Sequence, residues 1–91
     1  MGFVLDWERV NNRFRELESI NHHWAAEMEL AIIFGEYELA EYLEGVIEIS
    51  KRRKDGFSLN EWNDIYNHCK PYGLHDRMLY NLKLQRGGVE A

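Results

Sequence analysis

The chain has 91 residues, 45% of them hydrophobic and 30% charged, with a formal net charge of −5. That length supplies one hydrophobic core and not two, and the composition excludes a disordered chain. The acidic balance disfavours a free-standing nucleic-acid reader, and no apolar run reaches the roughly 20 residues needed to cross a bilayer.

Five helical segments are predicted, and no stretch alternates apolar and polar residues as a strand would. Asp6 is a good N-cap for the first. After it Trp7, Val10, Phe14 and Leu17 recur at the three- and four-residue spacing of one buried helix face. This helix is expected to end near Ile20 or Asn21, with continuation through His22 and His23 as the alternative.

The second segment runs from about Trp24 to Phe34. Trp24, Met28, Ala31 and Ile32 share one face, and Leu30, Ile33 and Phe34 add apolar groups elsewhere. A helix apolar around most of its girth is expected at the centre of a fold. Gly35 provides the stop, since glycine accepts the left-handed conformation that ends helices.

The third segment, about Glu36 to Arg53, is amphipathic. Leu39, Ala40, Leu43, Val46 and Ile47 line the inward side; Tyr37, Glu41, Glu44 and Glu48 line the other, with Gly45 beside them. Lys51-Arg52-Arg53-Lys54 closes it, where cations complement the exposed carbonyls of a helix end.

Ser58-Leu59-Asn60-Glu61 is a capping box. It opens a fourth helix whose expected buried face is Leu59, Trp62, Ile65, Tyr66 and Cys69, ended by Pro71-Tyr72-Gly73. A fifth covers about Leu74 to Leu84, with Met78 and Leu82 inward. Residues 1–5 and 86–91 are expected to fray. The whole reads as a compact all-α bundle of four to five short helices, a single domain over 1–91.

The chemical motifs are sparse. His22 and His23 are neighbours, about 100° apart on a helix, and do not share a metal easily. His23 and Glu27 stand one turn apart, but nothing supplies further ligands. Cys69 shares a face with Trp62 and Ile65, which makes it a buried small hydrophobe rather than a reactive thiol. No phosphate-binding loop, dinucleotide fingerprint or paired metal motif occurs. No enzyme, metal or cofactor is therefore expected.

Cys69 is the lone cysteine, so no intramolecular disulfide forms, and a reducing compartment is expected. Met1-Gly2-Phe3-Val4-Leu5 begins like a myristoylation signal but is followed by Asp6 instead of Ser or Thr. With no charged-then-apolar leader, a cytoplasmic protein without membrane attachment is expected.

Charge distribution says more than net charge. From Glu16 to Ser50 there are nine acids and no Lys or Arg. Such a block repels nucleic acid and attracts a basic partner. The expected partner-binding surface is the outward face of the third helix: Tyr37, Glu38, Glu41, Glu44, Gly45 and Glu48. Tyrosine is enriched in interfaces, and glycine permits close approach.

Ile33-Phe34-Gly35-Glu36-Tyr37-Glu38-Leu39-Ala40 resembles a recurring element of the MafI-like immunity proteins, small helical proteins paired with secreted or contact-delivered bacterial toxins. Ser58-Leu59-Asn60-Glu61-Trp62, Tyr72-Gly73-Leu74-His75-Asp76 and Leu79-Tyr80-Asn81-Leu82-Lys83 resemble further elements of that family, in order, over about residues 27 to 84. The resemblance implies an immunity protein that binds and neutralises a cognate toxin domain, often a nuclease. Two alternatives stand beside it. One is a nucleic-acid-associated adaptor using Lys51 to Lys54; the other is a structural or inhibitory helical module. The supply of aromatic surface also leaves room for a homodimer.

Overall fold

The helix boundaries follow from their caps. Asp6 accepts the Glu8 backbone N–H at 3.1 Å and opens α1 (Trp7–Ser19). That helix ends because Asn21 takes the left-handed conformation, φ +63°. The Asn21 N–H then donates to the Glu18 carbonyl and the His22 N–H to Leu17, at 3.1 and 2.8 Å. This is a Schellman closure, with asparagine in the place glycine usually takes, and it separates α1 from α2 (His23–Ile33).

Gly35, φ +76°, repeats the device at the end of α2. Gly35 and Glu36 donate to Ile32 and Ala31 at 3.1 and 2.8 Å, and α3 (Tyr37–Arg52) follows at once. The predicted capping box opens α4 (Leu59–Cys69): Glu61 N–H to Ser58 Oγ at 3.2 Å, Ser58 N–H to Glu61 Oε1 at 2.9 Å. A 3-10 turn, Lys70–Tyr72, and the left-handed Gly73 lead into α5 (Leu74–Gln85).

This computed structural model describes residues 5–87, and the described residues contain five α-helices and no strand. The fold is all-α, as the periodicity requires. Helix α2 packs against α1, α3 and α5, and α1 against α5. Leu30, Leu39, Leu43, Leu74 and Met78 are the largest fully buried side chains.

Two expected faces are corrected. On α2, Ile32 is 49% exposed and Ile33 is exposed as well, whereas Ala26, Leu30, Ala31 and Trp24 are buried. The alanines let neighbouring backbones approach, so the buried arc includes both of them and leaves the larger Ile32 and Ile33 outside it. On α4 only Ile65 and Cys69 are buried; Leu59 is 75% exposed, and Trp62 and Tyr66 are exposed too. At about 100° per residue, Trp62, Tyr66 and Leu59 stand about 40°, 80° and 100° from the Ile65–Cys69 direction. The helix is turned so that His68 stacks on Tyr42 at 3.9 Å between ring centres, and Glu61 meets Arg53 at 2.8 Å.

Arg86, the first residue of the C-terminal segment expected to fray, takes part in a clasp between the two ends of the bundle. Gln85 accepts the Trp7 N–H through Oε1 and donates through Nε2 to Asp6 at 3.0 Å. Arg86 donates to both Glu8 carboxylate oxygens at 2.6 and 3.0 Å. Residues 1–4 and 88–91, including most of the myristoylation-like start and Gly88, lie outside the described residues.

The packing yields a paired test. Leu43→Ala empties a fully buried site and should cost about 2–5 kcal/mol, a large share of a small domain's stability. Ile32→Ala should cost less than about 1 kcal/mol, because that side chain is already half in water. Thermal unfolding of both variants measures the difference; similar losses would place Ile32 inside the core.

Candidate functional site

All six residues expected to bind a partner lie on exposed backbone or side chain. Tyr37 is 68% exposed, and Glu38, Glu41, Glu44, Gly45 and Glu48 are exposed on the outer side of α3. From Tyr37 to Glu48 the stripe runs about 16 Å along the helix. Leu39, Leu43 and Val46 face the opposite way, into the core. The amphipathic pattern thus fixes which side of α3 meets solvent.

The fold treats the acidic block unevenly. Arg13 of α1 reaches Glu29 at 3.1 Å and Glu16 at 3.5 Å; Arg77 of α5 reaches Glu36 at 2.9 Å. Glu18 contacts His23 Nδ1 at 2.5 Å. The bases missing from residues 16–50 are therefore supplied by helices on either side in sequence. On α3, Glu38, Glu41 and Glu44 form no ion pair among the described residues, and Glu48 only approaches Lys51 at 4.0 Å.

The basic connection is partly consumed by the fold. Arg53 donates to both Glu61 oxygens at 2.8 Å and lies 5.3 Å from the centre of the Phe57 ring. Lys51 leans toward Glu48, which leaves Arg52 and Lys54 as the cations of this run without an ion pair among the described residues.

A second feature was not singled out from the sequence. A groove of about 580 Å³ opens between α1, α2 and the turn into α5, with Phe14, Trp24, Glu27, Tyr66 and His75 among its walls. Aromatic rings line up beside it. Trp24 lies 5.0 Å from Trp62, Trp62 stacks 6.2 Å from Tyr66, and His23 stacks 5.6 Å from Trp62. His75 stacks on Phe14 at 5.0 Å.

Glu27 is the unusual member. On the α2 wheel it lies about midway in the buried arc, between Leu30 on one side and Trp24 and Ala31 on the other. Its carboxyl is raised from the ordinary glutamate value, first by burial; His23 and His75 pull it back and Glu18 adds to the rise. No hydrogen bond to it forms among the described residues. His23 and Glu27 stand one turn apart in the sequence, but His23 turns to Glu18 instead. The available signal was a lone acid flanked at i+3 and i+4, and at i−3, by residues of the inward face.

Cys69 borders the same groove. Burial, with the Glu27 charge adding, pushes its thiol up to about 12, so it is a packing group and not a nucleophile at neutral pH. Among the described residues no three His, Cys, Asp or Glu side chains come together to hold a metal ion, and no helix is long and apolar enough to cross a membrane.

Compared with known proteins, the chain matches no family model, no curated protein and no solved structure.

The position of Glu27 sets a pH dependence. Below the ordinary glutamate value of 4.5 the folded and unfolded chains both hold the proton. As pH rises through that value the unfolded chain ionises first, so ionisation of Glu27 lowers stability toward neutrality. Charged and titratable neighbours around the groove are Glu18, His23, Lys70, His75 and Asp76. They are common to variant and parent, so their own titration largely cancels in the difference. Glu27→Gln should raise the melting temperature at pH 7, and the gain should vanish at about pH 4. A gain equal at both pH values, or a loss at pH 7, would contradict the assignment.

Proposed function

We propose that this protein is an immunity protein, which binds a cognate bacterial toxin domain, a basic nuclease, and neutralises it through the outer face of α3. The observation that carries this reading is a run of unneutralised carboxylates, Glu38, Glu41 and Glu44 with Glu48 beyond, next to the exposed ring of Tyr37. The other acids of the same block are largely taken up by Arg13, His23 and Arg77. What is left is a negative stripe with an aromatic anchor at one end.

Charge of this kind acts on encounter. A basic partner is steered toward the stripe, and association accelerates at low salt. The tyrosine ring then contributes contact area with few rotors to order, which slows release. The resemblance of residues 33–40, 58–62 and 72–83 to the MafI-like immunity proteins supports the same reading from another direction, and it supplies the toxin as the partner class. The protein acts by occupancy in the cytoplasm: the bound toxin cannot engage its nucleic acid, and no turnover is required of the inhibitor.

The nucleic-acid adaptor alternative draws less support, because Arg53 is already engaged with Glu61.

Capture of basic toxin fragments on the tagged chain, followed by co-expression with each captured fragment, tests the reading: protected growth is expected. Binding kinetics then test the face. Glu41→Lys/Glu48→Lys should slow association roughly tenfold at low ionic strength, with the difference shrinking as salt rises. Tyr37→Ala should speed dissociation roughly tenfold or more. Unchanged kinetics in both variants would remove this face, and absence of protection would remove the immunity reading.

A further inference from the structure

The groove beside Glu27 is chemically unlike the α3 stripe. The stripe is a line of hydrated carboxylates on a convex helix. The groove is concave, has aromatic rings among its walls, and includes a half-buried carboxylate in its lining. Its size, about 580 Å³, lies in the range of sites that enclose a side chain or a small molecule.

Its chemistry selects a cation. Glu27 and Asp76 contribute two carboxylates to the lining beyond Glu18, which His23 holds, and Lys70 alone contributes a full positive charge. An anion is therefore repelled. A purely apolar guest would strip water from Glu27 and offer it nothing, which is costly for a carboxylate. A cation both pairs with the acid and lies against the electron-rich face of the exposed Tyr66 ring.

Among cations, a planar one fits best. The guanidinium group is weakly hydrated, stacks on aromatic faces and presents a two-pronged donor edge to a carboxylate. An ammonium group is compact and strongly hydrated, and it gives up more on leaving water. The same preference appears within the fold itself. Arg77 lies 4.4 Å from the centre of the Phe34 ring while its Nη1 holds Glu36 at 2.9 Å. That is one guanidinium serving an aromatic face and a glutamate together. The groove offers that pair of partners, with no arginine of the described chain in it.

We propose that this groove receives an arginine side chain of the bound protein, its guanidinium stacked on the exposed Tyr66 ring and paired with Glu27. The proposal rests on the reading of the partner as a basic protein. It adds a short-range contact to the long-range attraction of α3. A charge in the middle of the buried arc of α2 breaks the inward pattern of that helix, and rules of this kind are most often broken where function needs it. The desolvation of Glu27 is already met in the free protein, so little further cost falls on this carboxylate when the guest enters.

The test uses the full chain labelled with nitrogen-15 and three small probes: N-acetyl-arginine amide, its neutral isostere N-acetyl-citrulline amide, and N-acetyl-lysine amide. With the arginine probe, the Trp24 and Trp62 indole signals and the Glu27 amide should shift in a saturable manner. The citrulline probe should shift them at least tenfold less. Glu27→Gln should abolish the arginine response while leaving the rest of the spectrum folded. Tyr66→Leu, at an exposed ring, should weaken it severalfold. Equal responses to the arginine and citrulline probes, an unchanged response in Glu27→Gln, a lysine probe that binds as well as arginine, or shifts confined to α3 would each overturn the proposal. The two readings fail separately. A captured toxin that binds Glu27→Gln as tightly as the parent, yet loses affinity for Glu41→Lys/Glu48→Lys, removes the groove and keeps the inhibitor. A saturable arginine response without any toxin partner keeps the groove as a guanidinium site and removes the immunity function.

Discussion

The structure depends on a single packing constraint: α2, only 11 residues long, must touch three other helices at once. Ala26 and Ala31 make this geometrically feasible, since both are fully enclosed and neither holds a neighbour away. Leu30 and Trp24 then fill the space between the helices. The chain has to reverse sharply on either side of α2 for α1 and α3 to lie against it. Asn21 and Gly35 deliver those reversals in the left-handed conformation, each with two carbonyls of the preceding helix satisfied by the turn. With α2 placed, α5 closes on α1, and the Gln85 and Arg86 contacts to Asp6, Trp7 and Glu8 join positions nearly 80 residues apart in sequence.

The same arrangement decides where negative charge remains. Arg13 and Arg77 stand on the helices that flank α2, and each reaches across a seam to an acid on α2 or at the start of α3. Exposed ion pairs of this sort contribute little to stability. Their consequence is electrostatic: they cancel the acids near the seams and leave those on the outer side of α3. An excess spread over 35 residues of sequence becomes a line on one surface. The charge pattern of a sequence says how much charge exists, and the fold says which part of it can act at a distance.

Features set by neighbours in sequence are legible in the sequence itself. Ser58 and Glu61 form their box within four residues, Asp6 caps the helix that begins next to it, and α3 alternates its apolar and acidic sides with a clear 3.6-residue period. The outer positions of α3, from Tyr37 to Glu48, were legible for the same reason. Orientation was harder. Helix α2 is apolar on nearly every side, so periodicity alone does not say that Ile32 faces water and Ala26 does not. For α4, Trp62 and Tyr66 look like core residues by size. They lie aside because His68 and Glu61 hold the opposite flank of that helix against α3 and the Arg53 turn. The groove is not legible in the sequence for both reasons together, since its walls come from the inward arc of α2 and the displaced aromatic edge of α4.

The two surfaces ask for the same kind of partner by different physics. Hydrated carboxylates on α3 act through solvent, over a range of about 8–10 Å at physiological salt, and they do not discriminate finely between one cation and another. The carboxylate of Glu27 is partly withdrawn from water, so salt screens it less and geometry matters more. A fully buried acid would be closed to a partner, and a fully exposed one would be as unselective as Glu41 or Glu44. Half-burial between Trp24, His23 and His75 is the intermediate state in which a charge stays reachable and still rewards a well-shaped counterpart. On the proposed reading, that division of labour lets a small domain with a modest core attract a basic protein broadly and then select among such proteins by fit. The stability it forgoes by holding an unpartnered acid against its own inward face would be the cost of that selectivity.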